Sequence, residues 1–164
     1  MTPAIPDGPA VLRLSITSDT ARIAEVHAAV AAAVERIGFR EPEVSGIALA
    51  IDEAVGNVIK HGYGGCAGRP IEVAVVPLAE GGRRGVEIEI CDCGRQVEPE
   101  SIIGRSLEDV RPGGLGTHII RTVMDEVEYS RREPAGMRLR VRKMLAAGPA
   151  GGAGAAGQER TIDG

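Results

Sequence analysis

The chain has 164 residues, the size of one ordinary domain, and 43% of them are hydrophobic, which provides enough material for a core of that size. Its formal charge of −4 comes from scattered charges, which argues against a nucleic acid or an anionic membrane as the main partner. Aromatic residues make up only 2%, so base stacking is disfavoured and aliphatic side chains must fill the core.

Two features of the sequence bear on its location. No apolar run approaches the roughly 20 residues of a membrane span. The segment MTPAIPDGPA at the start lacks the basic and apolar regions of a signal peptide. We therefore expect a cytoplasmic protein that does not enter a membrane.

The three cysteines predict free thiols rather than a disulfide framework. Their number is odd, and Cys91 and Cys93 are too close for ordinary pairing. A metal site that joins the cysteines to His61 or His118 is a weaker alternative, because Cys-x-Cys alone lacks the paired spacing of structural zinc.

The first half of the chain predicts a strand and two helices. Apolar and polar residues alternate over residues 11–17, as in a half-buried strand. Helical spacing follows over residues 19–37, and Gly38 supplies a stop. A second helical pattern over residues 42–61 is apolar on nearly all sides, so we expect it to be largely buried.

The second half predicts two hairpins around one helix. Residues 70–77 and 85–91 alternate with period two on either side of the turn AEGGRRG. Residues 92–113 form a long, weakly periodic connection, which is typical of a lid. A helix is expected over residues 115–124, and a second hairpin over residues 126–145.

This order of elements favours an α+β fold, a two-layer sandwich with the helices on one face of a mainly antiparallel sheet. We expect residues 11–144 to form the domain and residues 1–10 to be disordered. The Ala/Gly-rich residues 145–164 cannot bury enough side chain to fold, so a disordered tail is predicted there.

Polar side chains form a stripe on the second predicted helix. Glu53 and Asn57 are four residues apart, hence about 40° apart on one face, and Lys60 shares that face. Such groups are costly to bury unless a ligand or metal satisfies them. Gly56 lowers helix propensity with no structural need and could let a ligand approach. The alternative is a solvated surface stripe.

Two glycine-containing segments are further candidates. Asp92 and Gly94 follow a strand, where the carboxylate could accept a hydrogen bond from an exocyclic amine, although ordinary turns use the same residues. In residues 111–118, RPGGLGTH, backbone amides at a helix start could cradle phosphate, or the glycines could form a linker or cap.

In this order, EAVGNVIKHGYG, DCG and GGLGTHIIRTVMDEVEY resemble the ATP-binding domain shared by gyrase, the heat-shock chaperone ATPase, histidine kinases and MutL. Over about residues 11–144, the last segment and GMRLRVRK are most similar to the anti-sigma factor serine-protein kinases. No Walker-type P-loop motif occurs. Gln96 stands where many of the superfamily have a further glycine, which leaves the lid geometry open.

The resemblance implies that ATP or ADP binds with Mg²⁺, that Asn57 ligates the metal and that Asp92 reads the adenine amine. Glu53 is then the general base that takes the proton of a serine hydroxyl. The residues that the resemblance assigns to nucleotide binding are Asn57, Lys60, His61, Asp92, Gly94, Gly113, Gly114, Leu115, Gly116, Thr117 and His118.

The implied function is that of a serine-protein kinase and anti-sigma factor. Such a protein phosphorylates an antagonist of the STAS fold, sequesters a sigma factor, and forms a homodimer to which the first strand and helix contribute. One alternative is a nucleotide-binding switch that holds partners without efficient phosphoryl transfer. Another is an ATP-hydrolysing or histidine-kinase-like fragment, disfavoured because no dimerisation-histidine helix precedes the domain.

Overall fold

The computed structural model describes residues 9–103 and 115–147. In chain order the elements are β1 (Leu12–Thr17), α1 (Ile23–Ile37), α2 (Glu43–Asn57), β2 (Pro70–Glu80), β3 (Arg83–Asp92), α3 (Pro99–Ile103), α4 (Leu115–Val123), β4 (Glu126–Arg131) and β5 (Met137–Met144). A 3₁₀ turn precedes α1, and the π-helical turn Val58–Gly62 continues α2. None of the helices in the described ranges is long and apolar enough to cross a bilayer.

The five strands form one sheet in the order β1-β2-β3-β5-β4, with each pair of neighbours antiparallel. The main helices pack against one face of this sheet, and the α+β prediction is confirmed. The loop between β2 and β3 is shorter than predicted. The strands continue to a tight turn at Gly81 and Gly82, whose φ angles of 57° and 77° suit a two-residue hairpin turn.

The core lies between the sheet and the two long helices. Alternate residues of β3, among them Ile88 and Ile90, face the helices and are almost fully buried. Seven of the 15 residues of α2 are buried, all of them Ala, Val or Ile, so this helix is held on its sheet side by close apolar packing. The predicted helix over residues 42–61 is therefore present, but it changes to π geometry after Asn57.

Helix α4 runs antiparallel to α2. Near the start of α2, Gly46 lies against the side chain of Val123 at the end of α4. Seven residues later, Glu53 lies against Gly116 in the first turn of α4. This packing brings the start of α4 to the polar stripe of α2, and the site is built at that junction.

Candidate active site

A cavity of about 360 Å³ opens beside α2 and the first turn of α4. Its lining residues are Glu53, Gly56, Asn57, Lys60, Leu115 and Gly116, and they define what we call the α2 cavity. Its volume lies within the usual range of small-molecule sites. Five predicted site residues, from two separate parts of the chain, therefore meet at one cavity.

The polar stripe of α2 supplies the charged and amide groups of this cavity. Glu53 and Asn57 are half-buried on the last turn of the α-helix, and Lys60 is exposed on the π-helical turn that follows. Within the described ranges, these three side chains take part in none of the side-chain hydrogen bonds or ion pairs. Their polar atoms are thus free to bind a ligand. Short π segments occur frequently at functional sites.

Two glycines shape the cavity. A Cβ added to Gly56 would meet no atom within 4 Å, so the missing side chain leaves open space at the cavity floor. A Cβ on Gly116 would lie 2.6 Å from Oε2 of Glu53. The lack of a side chain at Gly116 therefore lets the start of α4 approach the carboxylate of Glu53.

The rest of the third predicted segment is only partly described. Gly113 and Gly114 lie outside the described residues. Thr117 is half-buried, and His118 is exposed, with its carbonyl oxygen accepting a 2.9 Å hydrogen bond from Oγ1 of Thr122. Neither Thr117 nor His118 lines the α2 cavity.

Asp92, at the end of β3, is buried and held by the backbone. It is 3% exposed, and its Oδ1 accepts hydrogen bonds from the backbone N–H of Gly94 (2.8 Å) and of Met137 (3.2 Å). Neither bond uses Oδ2. Burial raises the pKa of Asp92, although the two N–H donors partly oppose that shift. The carboxylate is consequently fixed in one orientation by the loop after β3 and by the first residue of β5.

The segment after Asp92 is tied to the end of α2. The carbonyl oxygen of Gly62 accepts a 2.8 Å hydrogen bond from the backbone N–H of Arg95, and a Cβ on Gly94 would collide with the same carbonyl. The hydroxyl of Tyr63 accepts from the N–H of Cys93 (2.7 Å) and donates to the carbonyl of Pro70 (2.6 Å). Glycine at position 94 is thus required because the protein's own backbone passes close to it, whether or not a ligand also approaches there.

The predicted site residues therefore fall into two groups joined by the turn Val58–Gly62. Glu53, Asn57, Lys60, Leu115 and Gly116 meet at the α2 cavity. Asp92 and Gly94 lie against Gly62, at the other end of the turn. His61 lies within the turn and is exposed, but it does not line the cavity.

Sequence reasoning missed several contacts that build the site. Tyr63 joins β2 to the Asp92 segment, and the signal for it is its place in EAVGNVIKHGYG, one of the segments that carry the resemblance. Gln96 donates its amide N–H to the carbonyl of Arg132, which ties the start of the predicted lid to the β4–β5 hairpin. Nδ1 of His27 on α1 lies 2.6 Å from Oδ2 of Asp52, the neighbour of Glu53 on α2. No local pattern indicated these long-range pairs.

The cysteines are reduced thiols in different environments. Cys66 is exposed and Cys93 is half-buried, whereas Cys91 is buried in β3, and burial raises its pKa to about 11. Across residues 9–103 and 115–147, no three His, Cys, Asp or Glu side chains come together as a metal site would require. That finding does not bear on Asn57, whose ligand atom would be an amide oxygen.

Comparison of the sequence with known proteins identifies the family of this chain. Residues 16–143 match the model of the histidine kinase-like ATPase domain. The serine-protein kinase RsbW of Halalkalibacterium halodurans is 25% identical over 147 residues, which cover 84% of this chain and 85% of that protein. RsbW of Bacillus pumilus is 32% identical over 101 residues, and the serine/threonine-protein kinase BtrW of Bordetella bronchiseptica is 31% identical over 91 residues. These two alignments cover 57% and 53% of this chain, and 61% of each relative.

The match spans more than half of the sequence, so the chain belongs to the histidine kinase-like ATPase domain family. Its relatives group it with the protein kinases of that family. The resemblance predicted from the three sequence segments is thereby confirmed.

Proposed function

We propose that this protein is an ATP-dependent serine-protein kinase and anti-sigma factor. It phosphorylates a serine of an antagonist protein of the STAS fold, and it holds a sigma factor when the antagonist is absent or already phosphorylated. The family match and the kinase names of the relatives support the enzymatic part of the proposal. The sigma factor, the antagonist and the homodimer rest on the resemblance of the sequence segments, whereas the cytoplasmic location rests on the lack of a long apolar run in the sequence.

The observation that carries the proposal is the set of unpaired polar groups at the α2 cavity. Glu53, Asn57 and Lys60 present a carboxylate, an amide and an ammonium to one space, and none has a partner among the described residues. A ligand that forms hydrogen bonds or ion pairs with these unpaired groups would be stabilised in the cavity. Gly56 leaves room on the cavity floor for the ligand to lie close to the helix.

The residues present fit Mg²⁺ and a nucleotide. The amide oxygen of Asn57 would ligate the metal, which binds through few protein ligands and keeps several waters. Lys60 would face the phosphates, and the first backbone amides of α4 at Leu115 and Gly116 would donate to phosphate oxygens. When bound, Mg²⁺ supplies neutralisation of the negative charge on the phosphates.

At the other end of the turn, Asp92 would recognise the base. Its Oδ1 is engaged by two backbone N–H groups, and Oδ2 would accept the hydrogen bond of the adenine amine. Because Oδ1 is held by Gly94 and Met137, the orientation of Oδ2 is set before the ligand arrives. Adenine is then read without rearrangement of the strand end.

Glu53 performs the proton transfer in the proposed reaction. The serine oxygen of the partner forms a bond to the γ-phosphorus while the bond from that phosphorus to the bridging oxygen breaks. Glu53 takes the hydroxyl proton and later releases it to water, leaving phosphoserine and ADP. The absence of an ion-pair partner for Glu53 within the described ranges leaves its carboxylate able to accept that proton.

The test is transfer of ³²P from [γ-³²P]ATP to a STAS-fold protein that co-purifies with the chain. Glu53→Ala should lower the rate of transfer by about 10² to 10⁴ and retain ATP affinity, because only the base is removed. Asn57→Ala should weaken Mg²⁺-ATP binding itself. Glu133→Ala, which removes an exposed carboxylate in the turn between β4 and β5, is the matched control and should behave as wild type.

Three results would contradict parts of the proposal. Unchanged transfer in Glu53→Ala removes that residue from the role of base. Binding of ATP and partner with no phosphoserine in the wild type favours the nucleotide-binding switch. A folded protein with no ATP affinity by calorimetry overturns the assignment as a whole.

A further inference from the structure

Two leucines stand out on the surface near Glu53. Leu49 is 44% exposed and Leu115 is 56% exposed, and they are the large apolar side chains that remain exposed in the described part of the chain. Leu115 lines the α2 cavity together with Glu53. Leu49 precedes Glu53 by four residues on α2, which places it about 6 Å along the helix and about 40° around it. Both leucines therefore border the proposed general base.

Leu49 lies on the side of Glu53 that faces away from the cavity. Of the residues on this stripe, those that line the cavity begin at Glu53 and continue through Asn57 to Lys60, toward the end of the helix. Leu49 lies one turn in the opposite direction, outside that lining. The polar stripe thus changes to an apolar surface at Glu53.

The chemistry of the proposed reaction assigns an occupant to this surface. In phosphoryl transfer the attacking and leaving oxygens lie roughly in line, on opposite sides of the phosphorus. With the nucleotide on the Asn57 side of Glu53, the attacking hydroxyl must enter from the Leu49 side. A serine within hydrogen-bond reach of Glu53 brings its neighbours in the acceptor chain over Leu49.

We propose that Leu49 is a docking contact for the acceptor protein, which places an aliphatic or aromatic side chain, within two residues of its phosphorylated serine, against it. This inference rests on the proposed kinase function and names the chemistry of the acceptor surface. A single half-exposed leucine provides a small contact, suited to a substrate that must leave after each transfer.

Beyond Leu49 the surface becomes polar again. One turn earlier on α2, Oγ of Ser45 donates a 2.8 Å hydrogen bond to Oε1 of Glu41. The apolar contact is therefore limited to the immediate surroundings of Glu53. An acceptor that displays a charged side chain next to its serine would leave that charge against Leu49 and would be disfavoured.

The experiment compares Leu49→Ala and Leu49→Asp with the conservative variant Leu49→Met. The probe is the STAS-fold protein that co-purifies with the chain. Initial rates of serine phosphorylation are measured over a range of acceptor concentrations, and ATP affinity is measured by calorimetry. Leu49→Ala should raise the KM for the acceptor about fivefold, and Leu49→Asp should raise it about tenfold or more. ATP affinity should stay within about twofold, and Leu49→Met should keep the wild-type KM.

A second arm tests contact with the acceptor directly. The apolar neighbour of the acceptor serine is replaced by Ala, alone and together with Leu49→Ala. If the two side chains touch, the double variant should lose less than the product of the two single effects. Independent effects of the two changes would overturn the inference, as would an unchanged KM in Leu49→Asp.

Two further outcomes distinguish acceptor docking at Leu49 from a contact within the chain and from a loss of the kinase reaction. If Leu49→Asp changes ATP affinity but not the KM for the acceptor, Leu49 acts on the nucleotide site of its own chain and the inference is wrong. If the wild type binds the acceptor but forms no phosphoserine, the proposed kinase function fails. In that case the docking inference is tested separately by the Kd of the acceptor for wild type and for Leu49→Asp. Equal values would overturn the inference, and a higher Kd for Leu49→Asp would support it.

Discussion

The two ends of the candidate site are built in opposite ways. At the α2 cavity, Glu53, Asn57 and Lys60 have no side-chain partners in the described ranges and remain partly or fully exposed. At the other end, Asp92 is buried and fixed by two backbone N–H groups, and Gly94 is pressed against the carbonyl of Gly62. One end thus keeps groups free for charged ligands, whereas the other is preformed and loses little freedom on binding.

The largest effect that this comparison predicts concerns Gly94. Gly94→Ala forces a methyl group against the Gly62 carbonyl, where both partners are backbone and cannot move cheaply. We expect the free energy of unfolding to fall by about 1–3 kcal/mol. ATP affinity should fall as well, because the added methyl group would also lie against Oδ1 of Asp92 and would displace the carboxylate proposed to bind adenine. Urea denaturation and calorimetry measure the two effects. A variant as stable as wild type would show that the Asp92 end is not rigid.

Asp92→Asn should separate binding from stability. Burial raises the pKa of Asp92, so the folded protein holds the proton more tightly than the unfolded chain does. The contribution of this group to stability therefore increases as the pH falls from the raised pKa to the ordinary value of 3.8, and above the raised pKa the charged carboxylate costs stability. In D92N the amide oxygen can still accept from Gly94 and Met137, which leaves an NH₂ group where Oδ2 was.

For Asp92→Asn we expect equal or higher stability at pH 7, because the variant carries no buried charge. We expect ATP affinity to fall by about tenfold, because the amide NH₂ of the variant and the adenine amine are both hydrogen-bond donors. The difference in unfolding free energy from wild type should shrink as the pH is lowered. Denaturant titrations at several pH values measure this. Unchanged ATP affinity would argue that Asp92 has only a structural role.

The smallest effect is expected at the floor of the α2 cavity. Gly56→Ala introduces a methyl group with no neighbour within 4 Å inside the helix. We expect the unfolding free energy to rise by about 0.5–1 kcal/mol through helix propensity, while ATP binds more weakly because the methyl group occupies the cavity. Thermal unfolding with and without ATP measures both effects. A gain in both stability and affinity would show that the nucleotide does not approach Gly56.

Sequence patterns predicted the helices and strands well, because the spacing of apolar residues reflects which side of each element is buried. The period of the α2 pattern and the alternation in β3 were sufficient to place Glu53 and Asn57 on one helix face and Asp92 at a strand end. Leu49 shows the limit of such reasoning. It belongs to an apolar run that predicts burial, yet it is 44% exposed.

The contacts that complete the site could not be predicted from local patterns. Oδ1 of Asp92 accepts from Met137, 45 residues further along the chain, and this bond depends on how β3 and β5 pair. The resemblance to a known family assigned roles to Asp92 and Gly94, but it did not reveal that Gly94 must fit against Gly62. The roles themselves remain predictions, and Gly113 and Gly114 lie outside the described residues.

The π-helical turn Val58–Gly62 sets the separation between the two ends of the site. A chain with one residue fewer in this turn would rotate Gly62 by roughly a quarter of a turn about the helix axis. Gly62 would then lose its contacts with Asp92 and Gly94, even with all of the polar side chains retained. The number of residues between Asn57 and Gly62 therefore matters in addition to the chemistry of Lys60, because it sets the register between the α2 cavity and the Asp92 segment.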